Sequence, residues 1–373
     1  MWLFVVLTTC LLPFVWAVAR LWWHQTTQHF EIQKLLLRAY QPAPATWTQL
    51  VKKWGDPRQY GPLHHRWPFE NIVFEGGGVR GSGYAAVVFE LERRGVWSSF
   101  KRFSGSSAGA IMAAFCAAKF TPTQVATLLL ELPMPAFFDR SHNLVSTAIG
   151  FIREYGWFSG QVIEDYIQAA MASACNLPTT TIVTFDMLHK HTNNTLVVTT
   201  FRPQQNGGKT LYLSHLTTPH MSVAKAVHAS SAFPGIWTPV EWDGFLHADG
   251  GSARNDALYI FNSPFPCEEN RLLPLNPKTL NVRLYDSQYG KIGGFELFTT
   301  TTKVTNIYEY YMCFLNAILN QLDQDSIVKH FWKQTITVDC NGVSALNVTL
   351  TEEQKAMLLE NGHKATVEFL KTC

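Results

Sequence analysis

The sequence predicts an α/β protein, a central sheet covered on both faces by helices and preceded by an N-terminal hydrophobic helix. Three observations carry this. Strand-like and helix-like segments alternate from residue 71 onward, which argues for a sheet sandwiched between helices. Two glycine-rich turns fall at strand-to-helix joints. The first 19 residues carry no charged side chain. With 47% hydrophobic and 16% charged residues among 373, the chain has ample core material and is not disordered. That length allows one large α/β domain as readily as two smaller ones.

Residues 1–19 would span about 28 Å as a helix, close to the ~30 Å of a bilayer core. Pro13 is tolerable there, and Trp22, Trp23 and Arg20 suit the membrane interface. The alternative is a cleaved signal, with Ala17-Val18-Ala19 as the site and secretion as the outcome. No Lys or Arg precedes the apolar run, whereas Arg20, Lys34, Arg38, Lys52 and Lys53 follow it. This favours a single-pass anchor (residues 1–23) with the body of the protein on the cytoplasmic side. Residues 24–70 read as a connector with short helices, one through Phe30, Ile32, Leu35 and Leu36 and another through Trp47, Leu50 and Val51.

The main domain is expected over residues 71–370. Residues 71–74 form a short apolar strand, followed by a glycine turn and a helix ending near Gly95. A second strand at 100–103 leads into another glycine turn and an apolar helix reaching Lys119. Thr121, Pro122 and Gln124 make the start of a capped helix. Residues 141–175 read as helical and irregular. Strands are expected at 195–201, 211–213, 244–248 and 280–284, with a helix around 221–230. A long aromatic helix at 307–322 and a segment at 331–338 that ends in a strand follow. Thr351 with Gln354 is a second capping box opening the terminal helix.

Three motifs carry chemistry. Gly76-Gly77-Gly78-Val79-Arg80-Gly81 follows a strand and opens a helix, so its N–H groups can meet negative charge; a plain tight turn would look the same. Gly105-x-Ser107-x-Gly109 has the form of a nucleophile elbow, in which a serine rides a sharp turn between small neighbours. Ser106 does not sit at its centre. Asp249-Gly250-Gly251 ends a strand and is either a turn former or a site carboxylate. Arg80 would steady the first loop, meet a phosphate-bearing ligand, or pair with a surface carboxylate.

Together and in this order, the three motifs resemble the patatin-like phospholipase family. Ala229-Ser230-Ser231-Ala232-Phe233-Pro234-Gly235 is similar to the family's segment before its aspartate strand. Asn341-Gly342-Val343-Ser344 and the terminal helix are similar to its close. The resemblance implies a three-layer α/β/α fold with a mostly parallel sheet. It also implies Ser107 as nucleophile, Asp249 as its base, and an oxyanion hole from Gly76, Gly77, Gly78 and Gly81. Gly105, Gly109, Gly250 and Gly251 would be the elbow and turn glycines. The implied substrate is a membrane lipid ester.

Rival readings remain. Gly76-x-Gly78-x-x-Gly81 also fits a dinucleotide fingerprint, yet the second strand carries Lys101 and Arg102 and runs into the serine turn instead of an acidic residue. A Ser–Asp–His triad would need His330 or His363, both of which read as surface residues. A non-catalytic membrane-bound protein would not need all three motifs. The net charge of +2 gives no signal for nucleic acid. Seven scattered cysteines show no C-x-x-C spacing and read as free thiols. No metal or other cofactor is expected.

Overall fold

The computed structural model describes residues 42–60, 67–131, 151, 153–205, 207–287, 333–347 and 349–372. The expected helices at 1–19 and 307–322, the one through Phe30 and Leu36, and His330 lie outside the described residues. No helix among the described residues is long and apolar enough to cross a membrane.

The sheet is α/β in origin and mostly parallel. Strands β1 (Asn71–Phe74), β2 (Arg102–Ser106), β4 (Thr195–Gln204), β9 (Thr279–Tyr285) and β10 (Thr335–Asp339) run parallel in the order β10-β9-β1-β2-β4. Beyond them β4 turns back into β5 (Gly207–Ser214), and β8 (Phe245–Asp249) pairs antiparallel with β4 and with β7 (Val240–Trp242). A separate two-stranded ribbon joins β3 (Gly156–Phe158) to β6 (Gly235–Trp237).

Strand alternation separates the two faces of the sheet. Ile72 and Phe74 of β1 enter the main core, while Val73 faces a smaller cluster with Val197, Ile260 and Phe261. The main face is covered by α2 (Tyr84–Arg93), α3 (Ala108–Ala117), α4 (Pro122–Leu130), α5 (Gln161–Ala174), α7 (Val223–Ser231) and α9 (Glu352–Thr372). Helix α3 is almost wholly buried, and its alanines and Gly109 let it lie close against β2. Both expected capping boxes are present. Thr121 and Gln124 exchange bonds of 2.9 and 3.3 Å, and Thr351 and Gln354 bonds of 3.0 and 3.2 Å. Each contributes about 1 kcal/mol.

Three local expectations are revised. The second strand runs Arg102–Ser106, so it delivers its C-terminus directly to Ser107. The polar segment between 175 and 195 holds a helix, α6 (Phe185–Thr192), opened by Thr184, whose hydroxyl accepts the Met187 N–H. His363 is not a surface residue: it is 5% exposed and stacks on Trp54 at 4.4 Å, with Nε2 3.4 Å from the buried Glu90 carboxylate. Its burial follows from α1 (Ala45–Trp54), whose Trp47 and Trp54 pack into the core against Phe89. Trp47 and Trp54, from the stretch read as a connector, thus lie in the same core cluster as the sheet.

Candidate active site

The register of β4 brings the serine turn and the aspartate together. Ser106, the last residue of β2, pairs with Thr199, and Asp249, the last residue of β8, pairs with Thr200. The other edge of β4 is occupied by β5 from Val197 to Gln204. Strand β8 therefore enters the column that β2 vacates, pointing the opposite way, and the two strands meet end to end. Ser107 and Asp249 come together at that junction, close enough for the serine hydroxyl to favour the charged form of the carboxylate.

Ser107 follows β2 with φ 52° and ψ −122°, a conformation that L residues rarely hold, and caps the N-terminus of α3. Such backbone strain costs on the order of 1–3 kcal/mol. The turn is possible because of its glycines: a Cβ on Gly105 would stand 2.1 Å from Gly109 O, and one on Gly109 would meet Phe74 O at 2.2 Å. The N-terminal end of the α3 dipole favours negative charge beside the hydroxyl.

Asp249 is 3% exposed. Burial pushes its carboxyl up to about 7, against the lowering effect of hydrogen bonds from the Ser107 hydroxyl and the Gly251 and Ser252 N–H groups. The Gly251 N–H lies 2.6 Å from Oδ1. Gly250 has its Cα against Thr199 O and the Ser106 hydroxyl, so Gly250 and Gly251 close the turn around the carboxylate.

The first glycine loop lies on the same junction. A Cβ on Gly76 would come within 3.1 Å of Ser107 Cβ. Gly76 donates to Asn255 O at 3.4 Å, whereas the N–H groups of Gly77 and Gly78 meet no acceptor among the described residues. Gly78 has φ 55°, and its Cα faces Ala345 O so closely that a Cβ would stand 2.0 Å away. Gly81 sits one turn further on, where a Cβ would press on Ala108 of α3. Arg80 does not reach a surface carboxylate or open solvent. It is 3% exposed, Nε donates to Val343 O at 2.6 Å, and a terminal nitrogen lies 3.8 Å from the buried Asp286. The side chain ties the loop to the C-terminal segment, which excludes contact with a lipid phosphate in this conformation.

Sequence reasoning missed three residues that hold the site. Ser230 accepts the Ser107 N–H at 2.9 Å and donates to Thr199 O at 2.6 Å, fixing the serine turn to β4. Asn255 donates to Gly76 O at 3.1 Å while its carbonyl takes the Gly76 N–H. Glu75, fully buried, accepts the Leu284 N–H at 2.9 Å and stands 3.4 Å from Arg283, anchoring the base of the loop to β9. Ser230 lies in the segment 229–235 that resembles the family, though no role was read for it, and Asn255 lies six residues beyond Asp249. Among the described residues no group of His, Cys, Asp and Glu could hold a metal ion. The four described cysteines are free.

Residues 72–265 match the patatin-like phospholipase family, a span that includes β1, the serine turn and the aspartate. The chain belongs to the patatin-like phospholipase family. Membership implies a lipid-ester hydrolase. An uncharacterized protein of Acanthamoeba polyphaga mimivirus is 24% identical over 79% of this chain and 92% of its own. The uncharacterized YqhO of Bacillus subtilis is 25% identical over 80% of this chain and 97% of its own. Among solved structures, VipD of Legionella pneumophila is similar in fold, with a TM-score of 0.50 and 18% identity. The match covers 82% of this chain and 67% of VipD.

Proposed function

We propose that this patatin-like chain is a lipid acyl hydrolase working through a Ser107–Asp249 dyad. The observation that carries the reading is the meeting of Ser107 and Asp249 where β2 and β8 arrive end to end along β4, beside the glycine loop. Asp249 as carboxylate takes the Ser107 proton while Oγ attacks the ester carbonyl. The tetrahedral oxyanion is met by the N–H groups of Gly77 and Gly78, each such donor being worth about 3–4 kcal/mol in the transition state. Collapse breaks the ester C–O bond, and Asp249 returns the proton to the departing alcohol. Water, deprotonated by Asp249, then releases the acyl group from Ser107.

A carboxylate near its reference pKa is a poor base for a serine hydroxyl. The burial that lifts Asp249 to about 7 strengthens it as a base while leaving it about half ionised at neutral pH. Glycerophospholipids are the favoured substrates and neutral glycerolipids the second choice. Residues 1–19 would tether the enzyme to the bilayer with its body on the cytoplasmic side. The histidine-triad alternative loses His363, which is enclosed by Trp54, Tyr60 and Glu90 in the helical layer. The dinucleotide alternative lacks its acidic partner, because β2 closes on Ser106.

The test is product mass spectrometry on mixed phospholipid vesicles, paired with a short-chain p-nitrophenyl ester assay. Wild type should release fatty acid and lysolipid. Ser107→Ala and Asp249→Asn should each fall by at least about a thousandfold. Full activity in Asp249→Asn would end the dyad reading.

A further inference from the structure

The hairpin that delivers Asp249 has a second end. Strand β8 runs from Phe245 to Asp249, so Phe245 stands four residues, about 13 Å at 3.3 Å per residue, beyond the carboxylate. Its direction is set by β4, which continues past Ser106 through Phe201 and Arg202 and leaves the C-terminal edge of the parallel strands. The tip of the β7–β8 hairpin thus projects from the same edge of the sheet as Ser107.

That tip has an unusual composition. Trp242 and Phe245 face each other across the pair, joined by Asp243 and Gly244, both with positive φ (51° and 74°) as a tight two-residue hairpin turn requires. Phe245 is 45% exposed and the adjacent Leu246 37%. Each aromatic ring carries a cation: the Arg202 guanidinium lies 4.2 Å from the Phe245 centroid, and the Lys225 ammonium 5.7 Å from that of Trp242. Arg202 is half-buried, with its Nε covered and without a hydrogen-bond partner, Lys225 is half-buried, and neither cation forms an ion pair with Glu241 or Asp243 among the described residues. Both cations reach His247 beneath the hairpin, whose pKa is lowered by burial first and then by Arg202. Uncompensated cations on half-exposed aromatic rings are the combination that an interfacial lipid headgroup layer accepts, rings at the headgroup level and cations on phosphate.

We propose that this hairpin tip, with Arg202 and Lys225, is a docking surface for the phosphate-bearing face of an anionic lipid bilayer, seating the Ser107 edge of the sheet toward the membrane. The proposal rests on the hydrolase reading for its purpose but not for its test.

Full-length wild type, Phe245→Ser/Leu246→Ser and Arg202→Gln/Lys225→Gln are compared in three measurements. These are flotation with phosphatidylglycerol–phosphatidylcholine vesicles and with phosphatidylcholine alone, hydrolysis of the same vesicles, and hydrolysis of a soluble short-chain ester. The apolar double variant should lose about tenfold in partition and in vesicle hydrolysis on both compositions, with soluble-ester turnover unchanged. The cation double variant should lose about tenfold on the anionic vesicles alone, and added salt should erase its difference from wild type. Equal flotation and equal vesicle hydrolysis by all three proteins would overturn the proposal. So would a dimer in size-exclusion chromatography that Phe245→Ser/Leu246→Ser abolishes, since the occupant would then be a second copy of the chain. Hairpin-dependent flotation by a wild type inert toward every ester would support the docking surface while ending the hydrolase reading.

Discussion

Asp249 is held by two opposing influences, and the pH dependence shows which one dominates. Burial raises its carboxyl to about 7 despite three hydrogen bonds that favour the charged form. As the base it must be ionised, so kcat/KM for a soluble ester should rise with pH through about 7 and flatten above it; a profile already flat at pH 5 would contradict this. The stability consequence has the opposite sense. A carboxyl whose folded pKa exceeds its unfolded value of 3.8 stabilises most below pH 4, and that contribution is lost as pH rises to about 7. The shift of about three units corresponds to roughly 4 kcal/mol. Asp249→Asn should therefore raise Tm relative to wild type at pH 8 and raise it by less than half as much at pH 5, as calorimetry at the two pH values would show. Ser230 acts at the same scale through its neighbour. Ser230→Ala leaves the Ser107 N–H and Thr199 O without their partner, which should cost about 1–3 kcal/mol in denaturant unfolding. It should also lower kcat about tenfold with KM unchanged, the split expected when a serine turn is mispositioned but the substrate site is intact. Ser107 and Asp249 were legible because a strand-end serine and a strand-end aspartate each carry a glycine signature. The roles of Ser230, Asn255 and Glu75 were not, because their partners (Ser107 N–H and Thr199 O, Gly76, Leu284 N–H and Arg283) are remote in sequence, and no local pattern records that.

At the scale of elements, the two glycine turns differ in what holds them. The serine turn is held by close approach: Gly105 and Gly109 touch backbone, so Gly105→Ala should prevent folding of the β2–α3 unit and yield insoluble protein. The first loop is held by side chains and by the C-terminal segment, through Gly78 against Ala345, Arg80 on Val343, and Glu75 beside Arg283. Arg80→Ala removes a buried charge-assisted bond to Val343 O and the contact with Asp286, which should lower stability by about 3 kcal/mol. It should reduce vesicle and soluble-ester hydrolysis in equal proportion, whereas a headgroup contact would spare the soluble ester. Elements with clear signatures were read well from sequence. The capped helices at Thr121 and Thr351 begin where the Thr/Gln pairs place them. Helix Phe185–Thr192 was missed because its polar face hides the apolar stripe of Phe185 and Leu188, and three-residue strands such as Val240–Trp242 are too short to show a period. His363 was misjudged because a histidine between Gly362 and Lys364 reads as solvent-facing. Its burial depends on Trp54, some 300 residues earlier, folding back over α9.

For the whole molecule, the design is a parallel sheet in which one strand position is shared by two strands arriving from opposite ends. Placing β8 in line with β2 brings the serine turn and the aspartate together without a long loop, and it leaves the β7–β8 tip as a projection from the reactive edge. Membrane engagement would then have two parts: the tether from residues 1–19 and the docking tip. Linked contacts of this kind multiply, since the first converts the second into an intramolecular event. Helix α1 sets the limit for a cut that would separate them, because Trp47 and Trp54 belong to the core. A chain starting at residue 42 should keep the Tm and soluble-ester turnover of the full protein and lose vesicle hydrolysis by more than about tenfold. One starting at residue 61 removes both tryptophans from against Phe89 and His363 and should lose several kcal/mol of stability. If the shorter cut left vesicle hydrolysis unchanged while the Phe245→Ser/Leu246→Ser variant abolished it, the tip alone would hold the enzyme at the bilayer. In that case residues 1–19 serve some other end than attachment to substrate.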